Sequence, residues 1–410
     1  MPTRYLGIGI ESTYGTQADP LFFVTHAQST LDTPKKSLLL RPTGLGRVDV
    51  GVDLGAYIPE GGIELVADPA IMPVFWYLVL GGDPSTNSSS VSPKSESAPS
   101  NSSGVISKTL SYLPVVPGSF TLKLTDTLVA QDDGFGKIEE VGSSGITGTI
   151  DYSTGALRCT GASPSQTYTA YYSAGTYVHT ISLDTELLEM PSATLYVGKD
   201  VFEHIFLGAC FTSFTLEAER DYITVSMDVA AQKDLQDTIK TTSEVLALTP
   251  QSYPCAFHAA AFKLGTYGST LNDMSASVEK LTLNLDLGAD AEGGVTIGSR
   301  FPRRIWTGET EITLELTLVF SDTTMLEAFW GSSSGAGSTL PTEFAGQIIV
   351  TGNNLGSFTI SLPRLIIESS KLQPKGRDRL SQEITARVLL DKATSKILEV
   401  ENSSVYDPFA

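Results

Sequence analysis

The sequence predicts a mainly β protein: two antiparallel β-sandwich or barrel repeats with short flanking helices, and a small β-sandwich domain inserted into the first. Three observations predict it. The chain says nearly the same thing twice. Gly62-Ile63-Glu64-Leu65-Val66-Ala67-Asp68 leads into Ile71-Met72 and Phe75-Trp76, and Glu315 to Asp322 leads into Met325-Leu326 and Phe329-Trp330. One offset superimposes Asp68 on Asp322, Ile71 on Met325 and Trp76 on Trp330, so an internal duplication is expected, and such architectures usually build rings or fibres. The alternative is two independent strand-to-helix units, each with its own Asp cap and aromatic anchor. Second, apolar and polar residues alternate with period two along most of the chain. Third, only 18 % of residues are charged while Gly, Ser and Thr are plentiful, a balance that fits β structure with many turns.

Taken in order, the first strand–helix unit has Asp68-Pro69 as an N-cap and N1 pair, with a helix start at Pro73 as the alternative because Pro73 would break the first turn. The Ser/Asn/Pro tract, residues 84–104, is expected to be a flexible linker. Residues 105–175 are expected to be the inserted domain, with strands at Phe120–Leu124, Gly148–Tyr152, Ala156–Thr160 and Tyr168–Tyr172, and tight turns at 132–136 and 151–155. The first repeat is then residues 1–83 with 176–240, and the second 241–410. Asp200 to Gly208 suggests a short helix. Ile223, Val225, Met227 and Val229 share one strand face, as do the even apolar positions from Ile312 to Phe320, while Leu281 to Leu287, Phe358 to Leu362 and Ile384 to Leu390 alternate likewise. One apolar and one polar face per strand implies antiparallel sheets packed face to face. In the second unit Ser321 or Asp322 caps, Thr323 to Trp330 is helical and Gly331 stops it. Trp76 and Trp330 are the expected core anchors, each contributing on the order of 2–3 kcal/mol by burial.

The 410 residues suffice for two or three domains, and the net charge of −19 argues against tight binding to nucleic-acid phosphates. Sliding nucleic acid past the surface without adhesion stays compatible with that charge. Cys159, Cys210 and Cys255 are an odd set without metal-ligand spacing and are expected as buried free thiols. The N-terminus lacks the apolar stretch of a signal peptide, and the apolar run Ile71 to Leu80 is far shorter than the ~20 residues of a membrane helix. A protein made and kept in a reducing cytoplasm, with no membrane association, is expected.

No catalytic, cofactor-binding or metal-binding constellation stands out, so a protein without enzymatic activity or cofactor is expected. His26, His179, His204 and His258 sit in no ligand or nucleophile-pairing pattern. Asp132-Asp133-Gly134 lacks the rest of a calcium loop and suits a hairpin turn. Glu217, Glu219 and Asp221 are same-face strand neighbours; paired carboxylates hydrolyse glycosides when set across a cleft, but a solvated surface is the more frequent outcome. Gly44-Leu45-Gly46 lacks the context of a dinucleotide loop. The concentrated positive charges are Arg300, Arg303 and Arg304, and Lys371, Lys375, Arg377 and Arg379. In so acidic a chain they are candidates for contacts with a neighbouring subunit, with a solvated loop as the alternative.

Several segments together resemble the tail tube (major tail) proteins of long-tailed bacteriophages. They are Gly7 to Thr16, Gly62 to Gly82, Phe211 to Asp234, and Leu281 to Phe320 followed by Phe358 to Leu390. The stretch Val115 to Ser119 through Gly148 to Gly155 is similar to small β modules that decorate phage structural proteins. The resemblance implies tube-type repeats: barrel-like sandwiches with a flanking helix, in stacked rings that form a hollow conduit through which viral DNA passes without specific binding. It also implies a place in the virion tail, assembly in the host cytoplasm and contact with other tail proteins. Sixfold rings with one tube domain per position would need three chains if each carries two, hence an expected trimer with pseudo-sixfold symmetry and the insert on the outer wall; a hexamer is the alternative. Competing functions are another tail component (baseplate, tail tip or decoration protein) and a carbohydrate-binding β-sandwich using Glu217, Glu219 and surface tyrosines.

Overall fold

The computed structural model describes residues 4–34, 36–40, 51–84, 87–251, 254–320, 323–335, 342–352, 355–372 and 380–409. In chain order these form β1 (Leu6–Ile10), β2 (Phe22–Val24), β3 (Gln28–Ser29), β4 (Ser37–Leu40), β5 (Gly51–Leu54), β6 (Glu60–Val66) and helix α1 (Met72–Leu80). Next come β7 (Asn87–Ser89), β8 (Ser92–Pro99), β9 (Ile106–Thr109), β10 (Thr121–Leu124), β11 (Thr127–Asp132), β12 (Lys137–Glu140), β13 (Thr147–Ile150), β14 (Ala156–Thr160) and β15 (Thr167–Ala174). Then follow β16 (Tyr177–Ser182), β17 (Ala193–Gly198), β18 (Phe202–Ala218), β19 (Thr224–Ala230), β20 (Lys233–Thr238) and α2 (Thr242–Ala247). The chain closes with β21 (Ala260–Thr266), β22 (Asn272–Asp273), β23 (Val278–Asp286), β24 (Glu311–Val319), α3 (Thr324–Trp330), β25 (Glu343–Gly352), β26 (Gly356–Leu372), β27 (Ser381–Val388) and β28 (Glu399–Ser404). The protein is mainly β and its named strand pairings are antiparallel, as the alternation predicts.

The pairing order recurs. Strands β2–β1–β17–β18–β20 lie side by side, and β22–β21–β25–β26–β28 repeat that order later in the chain. Likewise β18–β19–β6–β3 is repeated as β26–β27–β24–β23. Two unrelated strand–helix units would have no reason to reproduce one neighbour order, so the topology carries the duplication that the Phe-Trp pairs suggest. Both β18 and β26 have a register shift, at Phe211/Ser213 and at Ile367/Ser369, each just past the point where the strand passes from one set of partners to another. Such a bulge adds a residue and increases local twist, which lets one strand serve two sheets.

A single apolar core runs between the layers, with residues from both halves, including Phe214, Phe358, Leu314 and Ile384. Helix α1 lies inside it. Its sequence is apolar all round and eight of its residues are buried, so it is a core helix with no solvent face. Pro73 sits in its first turn, where a missing N–H is tolerated, and the helix starts at Met72 with Ile71 as a cap without a side-chain bond. Asp68 shapes the preceding turn, accepting from Ala70 N at 2.9 Å. Trp76 is fully buried, its ring 4.5 Å from that of Phe214 and 6.1 Å from that of Phe358, so it packs against both halves. Helix α3 stops at a left-handed Gly331, and none of its residues is buried; Trp330 is half-buried. Ser321 and Asp322 lie outside the described residues.

Three local expectations are corrected. Residues 202–208 are strand, not helix: Phe206 on one face and Ile205 and Leu207 on the other are all buried, and a strand covered on both faces loses its alternation. The Ser-rich tract contains β7 and β8, and β8 pairs with β15 over its whole length. Exposed Pro93, Ser95, Ser97 and Pro99 alternate there with half-buried Ser92, Lys94 and Glu96 and buried Ala98, and backbone pairing, rather than burial, fixes the segment. Helix α2, unexpected from the sequence, is nucleated by a capping box between Thr241 and Glu244 and lays Val245 on Tyr5, Phe23 and Leu207.

Strands β8–β15–β10–β11–β12–β13–β14–β9 form an eight-stranded sheet with its own core, and its end strands β8 and β9 meet at the Ser100–Ile106 bridge, which makes the sheet near-closed and barrel-like. Glu96 on β8 clasps the closure. It pairs with Lys108 of β9 at 2.7 Å, accepts from Ser111 N at 2.9 Å and binds the Tyr172 hydroxyl of β15. Burial opposes its charge, but the Lys108, Tyr172 and Ser111 bonds outweigh it and hold its pKa down at about 2, against an unperturbed 4.5.

Two measurements follow from this packing. Trp76→Ala is expected to cost about 3–5 kcal/mol in urea unfolding of the single chain, and Trp330→Ala clearly less, because only the first leaves a core cavity. Equal losses would remove the distinction. For Glu96 the folded pKa lies below the unfolded one, so its contribution is complete above about pH 4.5 and is lost as pH falls toward 2. The stability gap between wild type and Glu96→Gln, about 1–3 kcal/mol at neutral pH, is expected to close over that interval. A gap independent of pH would show that the carboxylate is not the clasp.

Candidate functional site

The largest continuous feature is one sheet that crosses the whole molecule. Strand β18 pairs with β23 from Ser213↔Asp286 to Ala218↔Leu281, so β3–β6–β19–β18 and β23–β24–β27–β26 join into eight strands side by side. β18 reaches this sheet by turning at Gly208, whose φ of +62° and close approach to Gln232 Cβ (2.9 Å from an added Cβ) leave no room for a side chain. Past the bulge, Phe214 and Leu216 face the core, and Ser213, Thr215 and Glu217 face the other way.

That other face is polar and rich in acid. β3, the residues that follow it and β6 contribute Gln28, Thr30, Asp32 and Glu64; β19 contributes Thr224, Ser226 and Asp228; β23 contributes Thr282, Asn284 and Asp286. β24 and β27 add Glu311, Glu315, Glu383 and Thr385. The positive charges on it are few, and two of them, Lys280 and Arg387, are held in ion pairs. Lys280 binds Glu217 and, at 3.0 Å, Glu219 across the β18–β23 seam, which pushes its ammonium pKa up. Thr215 donates to Asn284 at 3.0 Å across the same seam. Arg387 binds Glu311 and, at 2.8 Å, Glu368. The summed field of this face is negative, while its opposite face is apolar and buried.

The residues singled out from the sequence fall in several places. Arg300 donates to the Gly55 carbonyl at 2.9 Å and lies over the Tyr57 ring, and Arg304 pairs with Glu189 at 2.9 Å, so both hold loops of their own chain. Arg303 is exposed beside them. Lys371 is exposed on the polar face at the end of β26. Lys375, Arg377, Arg379 and Gly44-Leu45-Gly46 lie outside the described residues. Glu217 on β18 and Glu219 just past its end share Lys280, rather than facing each other across a cleft. Asp132 is buried and accepts from Gly118 N, Phe120 N and the Tyr152 hydroxyl, and Asp133 closes the hairpin turn. His204 binds Asp234 at 2.7 Å, and His179 is buried 3.4 Å from Asp407. The three cysteines are free and buried, and burial pushes the Cys159 and Cys255 thiols up to about 12. Among the described residues, no group of three or more His, Cys, Asp or Glu is placed to hold a metal ion, and no helix is long and apolar enough to cross a membrane.

Lys280 was missed by reading charges as runs: it is a single lysine in a strand. The acid face was also missed, although its signal was present, since the polar partners of the alternating apolar residues are disproportionately Glu, Asp and Thr.

Comparison with protein families gives one finding. The model of a family described as phage tail tube protein matches residues 2–388. No curated protein matches the chain.

Proposed function

The chain belongs to the phage tail tube protein family, and we propose that three copies close head to tail into a ring whose inner wall is the acid-rich sheet face. The role of the family is structural: a component of the virion tail that self-assembles and associates with other tail proteins. The finer reading rests on one observation, the eight-stranded sheet in which the same four-strand order occurs twice. An open sheet this long has two edges that a monomer must hide and that a ring removes. With two tube-type units per chain, three chains supply six positions.

The charge of the polar face supports a conduit for DNA. A negative wall carrying Glu64, Asp228, Glu315 and Glu383 repels phosphate, and hydroxyl groups between them offer weak, exchangeable contacts, so DNA moves past without adhering. No catalytic step is assigned. The barrel of β8–β15 joins the body through β7 and β16, which belong to the layer opposite the acid face, and Leu355 and Val405 of that layer enter its core. That attachment supports an outward position, clear of the channel. The β4–β5 hairpin pairs outside the other sheets and exposes Leu38, Leu39, Leu40, Val52 and Leu54, an apolar patch suited to contact between stacked rings.

Native mass spectrometry of assembled rings is expected to give three chains, with stacked tubes in negative stain. Six chains per ring would instead make the whole chain one position. A second measurement addresses the wall: Glu64→Lys with Glu315→Lys is expected to leave ring mass unchanged and to make the tubes retain double-stranded DNA at low salt, which the wild type does not. Equal retention by both proteins would mean that this face does not line the channel.

A further inference from the structure

The β18–β23 seam inside the chain is a template for the joint between chains. Aligning the bulges of β18 and β26 places Thr215 on Lys371 and Leu216 on Leu372. Aligning β6 on β24 through their pairing with β19 and β27 places Leu31 on Leu283 and Asp32 on Asn284. Within the chain these counterparts meet, Thr215 opposite Asn284 and Leu216 opposite Leu283. Among the described residues, β26 beyond Ile366 pairs only with β27, and β3 only with β6. Each is the edge that its counterpart has already used.

Local bonding on β3 fits an edge waiting for a strand. Thr30 and Asp32 direct their backbone groups at β6, so those of Leu31 point outward. There the Leu31 N–H donates to Ser29 Oγ at 3.2 Å and its carbonyl accepts from Lys199 Nζ at 3.2 Å, side-chain bonds that an incoming strand would replace. The helices give an independent mark. Trp76 packs on Phe358, and the bulge alignment makes Phe202 the counterpart of Phe358. Trp330 and Phe202 are both half-buried in the single chain.

We propose that residues 369–372 pair antiparallel with residues 31–34 of a second copy, Lys371 opposite the partner's Asp32 and Leu372 opposite the partner's Leu31, with Trp330 covered by the partner's Phe202. The pairing continues the sheet across the joint, sets a lysine beside an aspartate on the polar face and a leucine beside a leucine on the core face. It rests on the ring reading above and adds the register, which that reading leaves open.

Hydrogen exchange on the wild-type protein tests it directly. The amides of Leu31, Ser370 and Leu372 are expected to exchange roughly tenfold slower or more in rings than in the single chain. A Lys371→Cys/Asp32→Cys double variant, oxidised after assembly, is expected to link chain to chain, whereas Lys371→Cys/Thr30→Cys, two residues out of register, is not. Rings of confirmed mass whose 31–34 and 369–372 amides are unprotected, or that cross-link only in the shifted pair, overturn the register and leave the ring standing. A chain that never assembles overturns both. Because the exchange experiment needs no substitution, a misfolded cysteine variant does not spare the proposal.

Discussion

Backbone hydrogen bonding across the β18–β23 seam is the interaction on which the rest of the structure depends. Two four-strand sheets standing alone would expose four edges, each a row of unpaired N–H and C=O groups. Joining them within one chain removes two. Each bond is worth only about 0.5–1.5 kcal/mol net, but the covalent connection makes the joint intramolecular, so it forms without the entropy cost of bringing two molecules together. The handover at Gly208 makes the seam possible: β18 leaves β20 after Leu207 and β17 after Ala209, takes up β19 from Cys210, and past the bulge at Phe211/Ser213 takes up β23 as well. The same device in β26 leaves the chain with an edge of the same kind at its far end.

The polar face has to solve a problem of its own. Neighbouring strands run about 4.8 Å apart, so carboxylates on adjacent strands repel one another. The chain answers with spacing and with placement of its few cations. Ser, Thr and Gly62 separate the acids along β6, β18 and β19. Lys280 and Arg387 each bind two carboxylates, Lys280 at the joint of the halves and Arg387 between β24 and β26. Exposed pairs of this sort add little stability individually. Their effect is to neutralise charge where strands must approach, while Glu64, Glu315 and Glu383 have no ion-pair partner among the described residues and keep the face negative.

Much of the strand content was legible because one-sided burial writes itself into period two: Ile312 to Leu318, Leu281 to Leu285 and Ile384 to Val388 were each read in the phase that the structure adopts. The duplication was legible from Phe75-Trp76 and Phe329-Trp330. Alternation disappears where both faces are covered, and that is why residues 202–208 resembled a helix. It is also uninformative where neither face buries much, as along Ser92 to Pro99, whose strand is held by pairing with β15 far away in sequence. The site was harder still. Which strand lies beside which is a matter of long-range register, and nothing in Thr215 or Asn284 separately announces that they meet. The basic residues attracted attention by clustering, yet Arg300 and Arg304 bind their own chain and the informative cation, Lys280, stands alone. Equivalence of sequence also did not guarantee equivalence of burial, as Trp330 shows.

That last difference has a structural cause. Helix α1 continues one turn beyond Trp76, through Tyr77 to Leu80, whereas α3 ends at Trp330. The extra turn lies where the chain leaves for the barrel and returns: Tyr77 meets the Phe409 ring at 6.3 Å, Phe409 meets His179 of β16 at 5.2 Å, and Gly81 bridges to Leu183 at the end of β16. A large insertion on a loop tip is tolerated when its two connections are anchored, and these apolar contacts anchor both to the core helix. The second half carries no insertion at α3 and has no such strands to cover, so its helix stops at the first residue with a left-handed backbone, Gly331. The two halves therefore share a strand order and differ in the helix that carries the barrel. In the ring proposed above, fusing them in one chain would confine the barrel to every second unit of the wall, halving the bulk that its outer surface must accommodate while every sheet edge keeps the same kind of partner.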